Sequence, residues 1–379
     1  MAMKGIRRHG AGWQAQLSIG KDRTGKTKRM AKTFKNQEAA EGWLMEKLTE
    51  YRSSGEVFRP SEKSLEEFLG EWLETARGSL RPASIAVYGT IIQKHLVPSL
   101  GMIPLAKLTP ARIQKFYNLK REDGTGSRTQ SYCHATLHRA LSFAVRMGYL
   151  RENPCDRVER PRHEARERRP LSTEELIRFL EAAADHRLGT LFLMAATTGA
   201  RRGELLGLRW KDIDIDAGIM AISRQLIEVA GKKAFGDLKT KASRRPVPLL
   251  PEVVESLRRH RLRQLEERLA AGPEWKDQDL VFATATGGPL QPNNIARRTF
   301  RELLETAEID SENVSFHSLR HTAATNLIAG GATVKDTQGL LGHSLARTTM
   351  ERYAHVVEDS KRLAVEKAAT HLLPKAKKN

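Results

Sequence analysis

The sequence has no run of about 18 or more apolar residues, so a membrane-spanning helix is not expected. Nor does it open with a charged segment leading into an apolar one, so no secretory signal is read. Cysteine is scarce. Cys133 and Cys155 are the only two among 379 residues, which gives neither a disulfide framework nor a Cys-x-x-Cys metal pattern, and both read as reduced structural thiols. Negative charge is also short, with 45 Asp and Glu against 64 Lys and Arg, a net of +19. A chain this basic is expected to meet a polyanion, nucleic acid ahead of a membrane surface. Its length and its 40% hydrophobic content fit two or three domains, each with its own core. The expected protein is soluble and cytoplasmic, associated with the nucleoid.

Much of the positive excess sits at one end. Residues 1–35 carry ten Lys and Arg against the single acid Asp22, a net of +9. Within them Trp13, Ala15, Leu17 and Ile19 alternate with Gln14, Gln16 and Ser18, the period of a half-buried strand. A glycine-bearing turn and a second strand around Lys28 to Phe34 follow. Asn36 then caps a helix whose apolar face is Ala39, Ala40, Trp43, Leu44, Leu48 and Tyr51. From Ser64 the pattern is helical, beginning with a capping box of Ser64 and Glu67. Pro82 opens another helix, Thr109 and Pro110 cap and open a third, and Gly148 ends the one lined by Leu137, Ala140, Leu141, Ala144 and Val145. Between Arg157 and Pro170 the chain is nearly free of apolar residues and reads as a linker. A second capping box, Ser172 with Glu175, starts the next domain.

Gly20 to Thr27 match the spelling of a phosphate-binding P-loop. That loop requires a buried strand before it and a helix after it, so that helix amides face the phosphates. Here the flanking residues alternate as two strands, and a hairpin turn is the expected structure.

Four short segments in the second half carry chemistry. They are Thr198-Gly199-Ala200-Arg201, His317-Ser318-Leu319-Arg320, Leu341-Gly342-His343, and Arg352-Tyr353-Ala354-His355. Arginines grip phosphate through a planar fork and stay charged, histidines hold or move protons near neutral pH, and a tyrosine hydroxyl can be a nucleophile. Phosphodiester cleavage needs an attacking oxygen, cations on the non-bridging oxygens, and a proton for the departing 5′ oxygen. His317 and His321 stand four apart, as zinc ligands can, but no further ligand cluster of suitable spacing accompanies them, and no metal or other cofactor is expected.

The order Arg, His-x-x-Arg, His, Tyr with these flanks resembles the tyrosine recombinase (phage integrase) family. The resemblance implies a multidomain α+β chain. Residues 1–58 would be a small three-stranded sheet with a helix that binds arm-type DNA sites. Residues 62–156 would be an all-α core-binding domain, 157–170 a linker, and 171–379 a mostly α catalytic domain with a small β-sheet and hairpin, ending in a basic tail. By the same resemblance Tyr353 attacks the phosphate and forms a 3′-phosphotyrosine, while Arg201 and Arg320 hold the phosphate. His317 would sit near the tyrosine hydroxyl, and His343 would stabilise the transition state. Lys239 is the choice for the proton donor in Asp237 to Leu249, with Lys241 as the alternative, and Glu204 would orient the Arg201 region. The implied partners are double-stranded attachment sites in a homotetramer, with a DNA-bending host factor and an excision directionality factor. No ATP is required, because the bond energy is kept in the covalent intermediate. A type IB topoisomerase-like relaxing enzyme and a catalytically inactive DNA-binding regulator are the alternatives.

Overall fold

The alternation beginning at Trp13 builds a sheet. In the computed structural model, which describes residues 5–21, 27–54, 62–163, 168–229, 231–238 and 243–342, Ile6–His9 (β1), Gly12–Lys21 (β2) and Thr27–Phe34 (β3) pair antiparallel in the order β1-β2-β3. Ala15 lies opposite Ile6 on one side and Lys32 on the other. Ala15 and Leu17 are buried against Ala40 and Leu44 of the helix Gln37–Ser54 (α1). The Asn36 side chain caps that helix by accepting from the Ala39 N–H at 3.0 Å. Lys21 pairs with Thr27 across the two strands. Thr27 therefore begins a strand where a P-loop would need a helix, and residues 22–26 of that motif lie outside the described residues.

These strands belong to the first of two compact units, Met1–Glu164 and Ala165–Asn379. A separate helical core follows in the same unit, from Leu65–Arg77 (α2), Pro82–Ile91 (α3), Val97–Leu100 (α4), Pro110–Glu122 (α5) and Ser127–Arg146 (α6). The Ser64–Glu67 capping box forms, with the Ser64 N–H donating to Glu67 at 2.8 Å. Thr109 and Pro110 open α5, and Gly148 adopts a positive φ of 72° just past α6. One turn departs from the expected helices. Pro98 lacks an N–H to donate to the Lys94 carbonyl, and the preceding residues Ile92–Leu96 widen into a π turn in which Val97 donates back to Ile92. Cys133 and Cys155 are buried free thiols in this core, their pKa values pushed up by burial to about 11 and about 12. Asn153 ties the end of the bundle to α6 through His138 O and Ser142 Oγ.

Near the start of the second unit Arg169 forks onto Glu175 at 2.7 and 2.9 Å. The Ser172–Glu175 capping box opens Thr173–Ala183 (α7). Gly189–Thr198 (α8) is buried nearly all round and forms the centre of the unit. A five-residue helix, Arg202–Leu206 (α9), leads into Ile213–Asp214 (β4), Ile219–Ile222 (β5), the hairpin Arg224–Val229 (β6) with Lys232–Asp237 (β7), and Arg245–Pro248 (β8). β5 pairs between β4 and β8. Helices complete the unit: Pro251–Ala271 (α10), Pro292–Asn294 (α11), Phe300–Thr306 (α12), Phe316–Ala329 (α13) and Val334–Leu341 (α14). Phe179, Phe192, Phe300 and Phe316 bring α7, α8, α12 and α13 together, with ring centroids from 5.2 to 6.2 Å apart. These edge-to-face and tilted contacts fix how the ends of α8 and α13 meet.

Candidate active site

The central helix α8 stops at Gly199, whose φ of 62° turns the chain so that Arg201 becomes the N-cap of α9. A side chain at position 199 would collide with Leu341 of α14. Glycine thus gives both the left-handed turn and the close approach of the two helices. Gly342 ends α14 in the same way, with φ of 66°, and a Cβ there would lie 2.7 Å from Nη1 of Arg245.

Three guanidinium groups meet at this end of α14, on three successive carbonyls. Arg245 Nε donates to Leu340 O, Arg320 Nη2 to Leu341 O at 2.8 Å, and Arg201 Nη2 to Gly342 O at 3.1 Å. The last carbonyls of a helix have no partner within it and carry the negative end of its dipole, so cations are stabilised there. Arg320 also reaches back to Gly199 O at 2.7 Å, which fastens α13 to the turn before Arg201.

Glu204 is the buried anion among them, 2% exposed. Its Oε1 accepts from Arg201 Nη1 at 2.7 Å, and its Oε2 from the Arg201 backbone N–H at 2.9 Å and Arg245 Nη2 at 3.1 Å. Burial pushes the Glu204 carboxyl up, but the Arg245 charge, the Arg201 backbone N–H and the Arg201 charge outweigh it and hold it below its ordinary value. The carboxylate stays ionised. Its orienting part, expected from its place one turn after Arg201, is visible in these bonds.

Arg201 and Arg320, far apart in sequence, are thus brought to one place, with Arg320 almost fully buried and the Arg201 side chain 37% exposed. His317 sits half-buried in the first turn of α13, one turn before Arg320, with its ring edge-on to His321 at 4.9 Å. Lys239 and Lys241, in the connection between β7 and β8, lie outside the described residues, as do His343, Tyr353 and the C-terminal tail. Sequence reasoning gave Arg245 no role. The signal was present, because Arg245, Val247 and Leu249 alternate inward while Pro246 and Pro248 face out. An arginine on the buried face of a strand implies a buried partner. Among the described residues no group of three or more His, Cys, Asp and Glu is arranged to hold a metal ion. No described helix is long and apolar enough to cross a membrane.

Known proteins share this fold. The Tn1549 transposon integrase, solved in complex with transposon right end DNA, superposes with a TM-score of 0.67 at 21% identity, covering 81% of this chain and 99% of that one. λ integrase, solved as a tetramer bound to a Holliday junction, gives 0.54 at 19% identity over 91% of this chain and 94% of its own. The architecture is that of the tyrosine recombinase integrases. In sequence, a protein named "Tyrosine recombinase XerC-like" from Caldanaerobacter subterraneus subsp. tengcongensis is 32% identical over 381 aligned positions, spanning 93% of this chain and 95% of that protein. The family model described as "Phage integrase family" matches residues 169–359, and one described as "Phage integrase, N-terminal SAM-like domain" matches residues 64–120. The chain belongs to the phage integrase family of tyrosine recombinases.

Proposed function

We propose that this protein integrates and excises a mobile element or prophage, by cutting and rejoining DNA at attachment sites through a 3′-phosphotyrosine at Tyr353. Membership of the family makes the activity site-specific DNA recombination. The observation that carries the reading further is the convergence of Arg201 and Arg320 at the end of α14, immediately before His343. Two forked cations beside one another suit a phosphate, whose non-bridging oxygens take up charge as it becomes five-coordinate.

In the proposed reaction Tyr353 Oη attacks phosphorus and loses its proton toward His317. The bond to the 5′ oxygen breaks, and Lys239, or Lys241 in its place, gives that oxygen a proton. His343 donates to the phosphate in the transition state. The free 5′ hydroxyl of a partner duplex then attacks the phosphotyrosine and releases the enzyme. Each step exchanges one phosphodiester for another, so the proposed chemistry uses neither ATP nor metal.

The proposed division of labour gives arm-site binding to residues 1–58 and core-site binding to 62–156. Residues 157–170 link these to the catalytic part, 171–379. The separate apolar cores of the sheet and the helical bundle support the first two assignments. A homotetramer on two duplexes is proposed from the tetramer that λ integrase forms on a Holliday junction. DNA-bending and directionality factors are proposed as accessory partners.

A nicked suicide substrate carrying the core site tests the chemistry. Wild-type protein is expected to form a covalent adduct with the DNA, and Tyr353→Phe to form none while binding the site equally well. Joined products from two attachment sites are expected. Relaxation of a supercoiled plasmid without joined products would point to a topoisomerase instead, and binding without any adduct to a regulator.

A further inference from the structure

Arg245 stands outside the set proposed to touch DNA, yet it is bonded to Glu204, which holds Arg201, and to the last turn of α14. Its side chain is 6% exposed. From β8 it splits its fork three ways, with Nη2 on Glu204 at 3.1 Å, Nη1 on Ser243 O at 3.0 Å and Nε on Leu340 O. Glu204 in turn holds the Arg201 guanidinium and its backbone N–H. Gly342, whose carbonyl Arg201 grips, lies against the Arg245 guanidinium.

We propose that Arg245 is a positioning residue for strand cleavage. Through Glu204 and the Leu340 carbonyl it sets the Arg201 guanidinium and the end of α14 in the one arrangement that receives the scissile phosphate. The proposal rests on the reading of Arg201 as a phosphate ligand. Arginine is required because a point charge satisfies a carboxylate but not two carbonyls in fixed directions as well. Without Arg245, Glu204 keeps one cationic partner, Arg201, and Leu340 O loses its donor. A buried carboxylate that loses a cation is protonated more easily, and once neutral it holds Arg201 less firmly. Among the described residues, the charged groups facing Glu204 are Arg201 from the start of α9 and Arg245 from β8.

The test uses the full chain and single-turnover adduct formation on the nicked suicide substrate at saturating DNA, from acid to alkaline pH. Arg245→Met is expected to bind the site as wild type does but to form adduct about 100-fold more slowly, the cost of misplacing one charge-stabilising donor. Relative to wild type its rate should also fall toward acid, as Glu204 takes up a proton, beyond the fall that His317 as proton acceptor gives every variant. Arg245→Lys, which keeps the charge and loses the fork, should lie between the two and keep a constant ratio to wild type across pH. The double variant Glu204→Gln with Arg245→Met should fall short of the product of the two single deficits, because coupled residues are not additive, and should keep a constant ratio to wild type across pH. A Met variant cleaving within about threefold of wild type, or deficits that multiply in the double variant, would overturn the proposal. If Arg245→Met does not fold, Arg245→Lys decides: slower cleavage with unchanged binding supports the proposal, and the wild-type rate overturns it. A wild-type protein that forms no adduct would instead overturn the recombinase reading, and this proposal with it.

Discussion

The two units of this protein use charge in opposite ways. In the first, the cations Arg7, Arg8, Arg29 and Lys32 are exposed on a small sheet whose buried core is Ala15, Leu17, Ala40 and Leu44. An ion pair of this unit, Lys63 with Glu71, is exposed too, the side chains at 40% and 53%. In the second, Arg245 and Glu204 pair in the interior at 6% and 1% exposure, and Arg320 is buried beside them. Exposed charge contributes little to folding and is screened by salt, but it is available to a polyanion. Buried charge is costly unless fully bonded, and in return it fixes geometry. Removing a charge should therefore weaken binding in the first unit and destabilise the fold in the second.

The largest effect is expected at Glu204. Glu204→Leu leaves Arg245 and Arg201 without their shared anion, a loss of about 3–5 kcal/mol by the usual cost of breaking a buried pair. Calorimetry of the full chain should show the catalytic unit melting earlier and the N-terminal unit unchanged. An equal shift of both would break the distinction. The same pair gives the pH dependence its sign. The Glu204 carboxyl lies below its ordinary value of 4.5 in the folded protein. Its contribution is therefore present above that value and is lost as pH falls through the lower, folded one. Acid unfolding of the catalytic unit should lose that dependence in Glu204→Gln.

Gly342→Ala comes next. It places a Cβ at positive φ and against Arg245, for about 1–3 kcal/mol of strain. Adduct formation should fall with it, while arm-site affinity, read by gel shift, should not change. The two capping boxes then provide a matched pair. Ser64→Ala and Ser172→Ala each remove one cap worth about 1 kcal/mol, and each should shift only the melting of its own unit. The smallest effect on folding is expected at the sheet. Arg7→Gln with Arg8→Gln should change stability by less than about 0.5 kcal/mol. The pair should nevertheless lower arm-site affinity and flatten its salt dependence, by about 0.9 in the log–log slope for each DNA phosphate that is no longer neutralised. Unchanged affinity would remove the sheet from the DNA interface.

Local signals carried most of the fold. The capping boxes at Ser64 and Ser172, the Asn36 cap, Pro82 and Pro110 at helix starts and the alternation in β2 are all readable from neighbours in sequence, and the structure has each of them. The π turn before Pro98 was not foreseen, since only the hydrogen-bond register of a formed helix reveals it. Of the candidate site, Arg201, Arg320 and His317 could be proposed because their flanks are short motifs, and the structure brings Arg201 and Arg320 together. The roles proposed for Lys239, His343 and Tyr353 rest on the sequence pattern and its resemblance alone. Arg245 was overlooked because its partners are 41 and 95 residues away.

The sequence by itself determined which polyanion-seeking, helix-forming and nucleophilic groups this protein owns, because charge, periodicity and caps act over a few residues. Only the tertiary structure decided that three arginines, from the N-cap of α9, from β8 and from α13, would end on three consecutive carbonyls at the C-terminal end of α14, with one buried carboxylate between two of them. That arrangement depends on where helices stop and how closely they approach. Gly199 and Gly342 allow the approach, the phenylalanine core sets α8 against α13, and Ala324 and Ile328 of α13 pack against Leu341 of α14.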